Sequence, residues 1–97
     1  MKVVFTAEAI LNLSDIASYL RARNPVAAKA VRRAIRKSAD TLGEFPELGR
    51  KQLNADIRKL VVPRFGYLIY FKVYADKDEV RILFIQHPKR RRDYIDE

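Results

Sequence analysis

The fold is decided by residues 57–87, IRKLVVPRFGYLIYFKVYADKDEVRILFIQH, in which apolar runs alternate with short polar interruptions. β-Branched and aromatic residues, which favour strands, dominate three runs. These runs are residues 57–62, 67–74 and 80–87. The first interruption contains Pro63 and Gly66 and the second is the polar stretch 75–79, and both compositions are typical of turns. The pattern predicts three consecutive strands that form an antiparallel meander.

Two helices are predicted ahead of this meander. Apolar residues recur at helical spacing over residues 7–23 and again after Asn24, as far as Gly43. Thr6 is a good N-cap for the first helix, and Asn24 can cap the second. Pro25 suits the first turn of a helix, where its missing N–H leaves no bond unmade. The spacing therefore predicts a helical hairpin with a sharp connection at Asn24.

A short β run at residues 3–5 comes first, so the predicted element order is β-α-α-β-β-β. This order indicates an α+β fold in which a helical hairpin packs on one face of an antiparallel sheet. With 97 residues and 48% hydrophobic content, we expect one domain over residues 1–97, with residues 88–97 as a basic tail. The second face of the sheet also carries apolar side chains, so we expect it to be partly exposed or buried by a partner.

The loop FPELGR at residues 45–50 joins the second helix to the meander. We expect Gly49 to supply a backbone conformation that other residues avoid. Phe45 and Leu48 are large and apolar, so we expect them to pack this loop against the core. The loop is therefore predicted to be compact.

The net charge of +8 favours an anionic partner, such as nucleic acid, a ribonucleoprotein or an acidic protein segment. The absence of cysteine excludes disulfides and thiolate metal sites, and no cluster has metal-ligand spacing, so no metal or cofactor is expected. No apolar run approaches the length of a membrane-spanning helix, and the N-terminus lacks a signal-peptide pattern. We expect a cytoplasmic protein without a membrane partner.

The outer face of the second helix is cationic, because Lys29, Arg33 and Lys37 recur at i, i+4 spacing beside Arg32 and Arg36. This face is either an ordinary solvated surface or an electrostatic surface for nucleic acid or an acidic protein. The candidate binding residues in the whole chain are Arg32, Arg33, Arg36, Arg50, Arg58, Arg64, Lys89, Arg90, Arg91 and Arg92.

A loose set of residues fits RNA cleavage. Such chemistry needs a general base, a general acid, cations on the phosphate and an aromatic side chain that stacks on a base. His87 is the single histidine, and period-two alternation places Arg81, Leu83, Ile85 and His87 on one face of a strand. The candidate catalytic residues are Arg58, Arg81, His87 and Tyr94. The alternative is that His87 is an ordinary structural or surface residue.

Seven stretches, in the same order along the chain, resemble the RelE/ParE superfamily of bacterial type II toxins, also called plasmid-stabilisation proteins. The family fold is the same helical hairpin on an antiparallel sheet. The stretches are FTAEA at residues 5–9, IASYL at 16–20, NPVAA at 24–28, LGEFPELGR at 42–50, IRKLVV at 57–62, YLIYFKV at 67–73 and ILFIQHPKR at 82–90.

This resemblance implies a toxin that a co-expressed antitoxin holds inactive. Antitoxins of the family typically wrap the toxin with an extended or helical segment that is often acidic. The complex usually binds its own promoter DNA through the antitoxin. A partner of this kind would account for the basic surface and the uncovered apolar face of the sheet.

The superfamily divides by target. ParE-like members poison DNA gyrase, and the stretches at residues 45–50 and 57–60 are similar to theirs, so gyrase poisoning without catalytic residues is the leading expectation. RelE-like members cleave messenger RNA on the ribosome. His87 and Tyr94 lie where some of those nucleases place an acid and a stacking aromatic, which keeps RNA cleavage as the alternative. A third possibility is a degenerate toxin that binds only an antitoxin or DNA.

Overall fold

A computed structural model describes residues 1–53 and 56–88. Two helices pack on one face of a five-stranded sheet, which confirms the predicted α+β arrangement. The elements are β1 (Lys2–Phe5), α1 (Ala7–Arg23), α2 (Pro25–Glu44), β2 (Arg50–Lys51), β3 (Ile57–Val61), β4 (Leu68–Tyr74) and β5 (Glu79–Gln86). Short 3₁₀ turns at Pro46–Leu48 and Ala75–Lys77 follow α2 and β4.

The helical hairpin begins and turns where the capping residues predict. The Thr6 hydroxyl accepts the Ala9 N–H at 3.2 Å, which satisfies one free donor of the first turn of α1. The Asn24 side chain accepts the Ala27 N–H at 3.1 Å at the start of α2. Asn24 also ends α1, because its own N–H donates to the Leu20 carbonyl. One residue therefore separates the helices and fixes their antiparallel packing.

The sheet has the order β1-β5-β4-β3-β2. Strands β3, β4 and β5 form the predicted antiparallel meander, β2 also pairs antiparallel with β3, and β1 lies parallel to β5 with Val3 opposite Val80. The sheet is therefore mixed. The sequence did not predict β2, because a strand of two residues is too short to show an alternation of apolar and polar residues.

The core lies between α2 and the sheet. Ile35, Ala39 and Leu42 of α2 are fully buried against Phe71 and Ile82 of the central strands. Truncating a side chain such as Phe71 to alanine would cost about 3–5 kcal/mol of stability. α1 buries only Ala9 completely among its residues, so its outer surface keeps apolar side chains in solvent. Ile10 is 56% exposed and Leu11 is 63% exposed.

A β-bulge interrupts β5. Tyr70 pairs with Phe84 but the next residue, Phe71, pairs with Ile82, so Leu83 is an extra residue. The Thr6 hydroxyl lies 2.9 Å from the carbonyl oxygens of both Ile82 and Leu83 and donates to that pair. The start of α1 therefore holds the bulge in place.

The second contact of α1 with β5 comes after the bulge. The Asn12 side-chain carbonyl accepts the Ile85 N–H at 2.8 Å. β1 pairs with residues 79–82 of β5 and reaches no further. Asn12 therefore supplies an acceptor where the neighbouring strand has ended.

Two predictions for the loop at residues 45–50 are wrong. Gly49 has ordinary extended angles, with φ −75° and ψ 153°. Glycine is required at this position because there is no room for a side chain. A Cβ atom there would lie 2.4 Å from Cζ of the buried Phe71 ring. Phe45 and Leu48 are each 53% exposed and do not pack into the core. The Phe71 ring occupies the space beneath the loop, so these two side chains project outward.

Candidate functional site

The face of the sheet that lies away from the helices, called the open face below, was expected to be partly exposed or buried by a partner. On β4 Leu68 is 4% exposed and Tyr70 is fully buried, and the Tyr70 ring stacks on Phe84 at 4.5 Å. Apolar exposure is found on β3, where Val61 is 53% exposed. By strand register, this face carries Arg50, Ile57, Lys59, Val61, Leu68, Tyr70, Lys72, Tyr74, Glu79, Arg81, Phe84 and Gln86.

Cations stand directly opposite cations on neighbouring strands. On the open face Arg50 pairs with Lys59 and Lys72 pairs with Arg81. On the helix side Lys51 pairs with Arg58. Like charges directly opposite in a sheet are destabilising, and an anion bound between them reverses that effect. The register therefore creates sites that favour an anionic partner.

One of these pairs belongs to a tight polar cluster. The Arg81 guanidinium donates to the Glu79 carboxylate at 2.8 Å and lies 4.2 Å from the centroid of the Tyr74 ring. The Lys72 ammonium lies 5.3 Å from the same centroid. The hydrogen bond to Glu79 raises the pKa of Arg81 above its ordinary value. The cluster thus places two cations against one aromatic ring, with Glu79 neutralising one of them.

The predicted catalytic residues do not come together. Because Leu83 is an extra residue, Arg81 lies on the open face whereas Ile85 packs in the core on the helix side. His87 follows Ile85 to the helix side, where its ring meets the edge of Tyr67 at 5.3 Å. The prediction that Arg81, Leu83, Ile85 and His87 share one face is therefore wrong.

Arg58 has a structural contact. It pairs with Phe71 on the helix side, and its Nη1 atom donates to the Gly49 carbonyl at 3.0 Å. Tyr94 lies outside the described residues. Burial raises the pKa of Tyr67, the neighbour of His87, and the nearby Tyr19 hydroxyl adds to that shift.

A second cationic surface lies along α2. A groove of about 670 Å³ runs between α2, α1 and β1, with Phe5 and Leu13 in its lining. The Arg36 guanidinium lies 5.8 Å from the Phe5 ring centroid and 3.5 Å from the Asp40 carboxylate. Among the described residues, the Arg36–Asp40 pair is the only ion pair on this surface. The groove is also lined by Lys29, Arg32, Arg33, Lys37, Thr41 and Glu44, so its walls are mainly cationic.

The remaining predicted binding residues are scattered. Arg64 lies in the β3–β4 turn with φ of +75°, and its guanidinium carbon is 4.9 Å from the Phe65 ring centroid. Arg50 lies on the edge strand β2. Lys89, Arg90, Arg91 and Arg92 lie outside the described residues. Sequence reasoning missed Phe5 and Leu13 in the groove and Tyr74 on the open face, because strand register and helix packing bring them to these surfaces.

Within residues 1–53 and 56–88, no three histidine, aspartate or glutamate side chains approach closely enough to hold a metal ion. In the same part of the chain, neither helix has the length and apolar character needed to cross a membrane. What these residues do supply is positive charge beside aromatic and aliphatic side chains.

Comparison with known families gives one clear match. Residues 3–94 match the family described as ParE toxin of the type II toxin-antitoxin system parDE. The chain belongs to the ParE toxin family. It is also 35% identical over 89 residues to Toxin RelE2 of Caulobacter vibrioides, which covers 92% of this chain and 97% of that protein.

Solved structures of the same fold come from both branches of the superfamily. The chromosomal ParDE system of P. aeruginosa has a TM-score of 0.78 at 22% identity, covering 90% of this chain and 95% of that one. The E. coli RelBE toxin-antitoxin complex has a TM-score of 0.68 at 17% identity, covering 89% and 94%. Isolated E. coli RelE has a TM-score of 0.69 at 18% identity, covering 94% and 87%.

Proposed function

We propose that this toxin of a type II system arrests growth by binding and poisoning DNA gyrase in the cytoplasm. The observation that carries the proposal is the separation of Arg81 and His87 onto opposite faces of the sheet. RNA cleavage needs an acid, a base and phosphate-binding cations around one scissile bond. A toxin that acts by binding needs no such set. The match to the ParE family over residues 3–94 supports the same conclusion.

The toxin is held inactive by a cognate antitoxin, which binds the α2 groove. The groove combines an apolar lining at Phe5 and Leu13 with cationic walls, so it fits a protein segment that carries apolar anchors and carboxylates. Promoter DNA is contacted through the antitoxin. The solved ParDE toxin-antitoxin system and the solved RelBE toxin-antitoxin complex support a partner of this kind.

A supercoiling assay tests the proposal. Antitoxin-free toxin is added to gyrase, ATP and relaxed plasmid, and supercoiled product is measured against toxin concentration. The proposal expects a dose-dependent loss of supercoiling that added antitoxin reverses. Unchanged supercoiling by folded toxin would contradict it. If expression without antitoxin causes no growth arrest either, the chain is a degenerate toxin that only binds.

The second candidate function is ribosome-dependent cleavage of messenger RNA. Two observations favour it: the 35% identity to a protein named Toxin RelE2 and the cluster on the open face. Lys72 and Arg81 could hold a phosphate while Tyr74 stacks on a base. In this case Lys72→Ala or Arg81→Ala abolishes RNA cleavage on ribosomes without unfolding the protein. Gyrase poisoning, by contrast, does not require the two residues to act on a common substrate.

A further inference from the structure

A turn between α2 and β2 holds two large apolar side chains out in solvent. Phe45 is the C-cap residue that follows α2, Leu48 ends the next 3₁₀ turn, and each is 53% exposed. Large apolar side chains on a fixed backbone are the usual anchors of protein interfaces, because little conformational entropy is lost when they bind. Phe45 and Leu48 can act in this way only if the backbone of the turn is held in place.

Four contacts fix the turn. The Phe45 N–H donates to the Thr41 carbonyl at 2.9 Å, and the Leu48 N–H donates to the Phe45 carbonyl at 3.1 Å. Gly49 lies so close to the fully buried Phe71 ring that no Cβ atom fits between them. The Arg58 guanidinium then donates to the Gly49 carbonyl at 3.0 Å. The turn is therefore tied to α2, β3 and β4 at once.

The strand that follows the turn adds positive charge. Lys51 stands opposite Arg58 on the helix side of the sheet. These two cations repel each other in the free protein, and a carboxylate of a partner placed beside them relieves that repulsion. Glu47 is the one acid among residues 45–51. Apolar anchors bordered by cations therefore fit an apolar pocket bordered by carboxylates.

We propose that residues 45–51 form a docking surface for the target protein of the toxin, and that Arg58 is a positioning residue of this surface. A protein fits better than nucleic acid because Leu48 offers no ring for base stacking. The inference rests on the proposed function, since the partner used to test it is gyrase. It also gives Arg58, predicted as a catalytic candidate, a different role: it acts through the Gly49 carbonyl.

The test measures the affinity of intact gyrase for immobilised toxin variants. The double variant Phe45→Ser/Leu48→Ser removes both anchors, and Val26→Ser removes an apolar side chain that is 78% exposed at the start of α2. We expect the double variant to weaken binding by about 30-fold or more, the range of interface hot spots. Val26→Ser should bind like the wild type. The single variants Phe45→Gln and Leu48→Gln serve if the double variant does not fold.

A second variant separates positioning from simple contact. Arg58→Met keeps the aliphatic stem but removes the donor to Gly49, so it should weaken gyrase binding in the wild-type background. It should add little in the Phe45→Ser/Leu48→Ser background, since the two changes act on one surface. Equal gyrase affinity of wild type and the folded double variant overturns this inference. Failure of the wild type to bind gyrase overturns the proposed function instead.

Discussion

Arg81 and His87 lie on opposite faces of the sheet, although an even number of positions separates them. In a regular strand such residues share a face, but the extra residue Leu83 reverses the alternation between them. Arg81 contacts Glu79 and Tyr74 on the open face, whereas His87 contacts Tyr67 on the helix side. One bulge thus separates the residues that strand periodicity would join in a nuclease site.

Thr6→Val should destabilise the protein by about 1–2 kcal/mol, because the hydroxyl both caps α1 and donates to the carbonyls at the bulge. Valine has the same shape and keeps the packing. Thr6→Ser keeps the hydroxyl and serves as the control. Urea unfolding followed by circular dichroism gives both free energies. Equal stability of the valine and serine variants would show that the hydroxyl contributes nothing.

Gly49→Ala should destabilise the protein by about 1–3 kcal/mol, the usual cost of overpacking, because the added methyl group meets the buried Phe71 ring. The control is a double-mutant cycle with Phe71→Leu, which removes the atoms that clash. Gly49→Ala should cost clearly less in the Phe71→Leu background. The same cost in both backgrounds would contradict the clash with Phe71 and point instead to Arg58, whose Cβ atom would lie 3.1 Å from the added methyl group.

Lys51→Glu should raise stability by about 0.2–1 kcal/mol, because it turns the repulsive cross-strand pair with Arg58 into an attractive one. Lys51→Gln should give a smaller gain. Both gains should shrink in 1 M salt, where the screening length is about 3 Å. Thermal unfolding at low and high salt measures them. A gain that is independent of salt would point to a cause other than charge.

Burial of Tyr67 makes stability depend on alkaline pH. The folded state raises the pKa of Tyr67 above its usual value of 10.0, so the unfolded chain ionises first as pH rises. The stabilising contribution is complete below pH 10 and is lost as pH passes through the higher folded pKa. Urea unfolding at several pH values should therefore show a steeper alkaline decline for the wild type than for Tyr67→Phe. Parallel declines would contradict this assignment.

Charge reversal on α2 should weaken antitoxin binding if the groove is the antitoxin site. Arg33→Glu/Lys37→Glu reverses two groove cations, whereas Lys77→Glu reverses one exposed cation in the 3₁₀ turn after β4, which is not part of the groove lining. Competition binding to the purified antitoxin should show a loss of about tenfold or more for the first variant, since charged pairs at interfaces contribute on this scale. A comparable loss for Lys77→Glu would indicate only a general charge effect.

Local signals in the sequence were enough to predict the helices. The features that the sequence did not predict depend on pairing between strands that are far apart in the chain. Thr6 and Asn24 act within their own helical turns, so both helix starts were predicted correctly. The parallel pairing of β1 with β5 and the bulge at Leu83 depend on contacts between residues far apart in the chain. The alternation of apolar and polar residues in β1 and β5 does not reveal the parallel pairing or the bulge.

The candidate surfaces follow the same division. The cations of α2 were predicted because one helical face presents them together. The opposed pairs such as Lys72 and Arg81 appear only once strand register is known. Gly49 was recognised as a special position for the wrong reason, since the need for space beneath it arises from Phe71, which is 22 positions away in the sequence.

The most direct test of gyrase poisoning is the yield of linear plasmid that gyrase leaves after treatment with detergent and protease, measured with wild-type toxin and with His87→Ala. We predict that linear DNA accumulates with toxin dose and that His87→Ala, if folded, gives the same yield. The contradicting result is no linear DNA with wild-type toxin, together with cleavage of messenger RNA on ribosomes that Arg81→Ala abolishes. That outcome would assign the toxin to RNA cleavage at the open face.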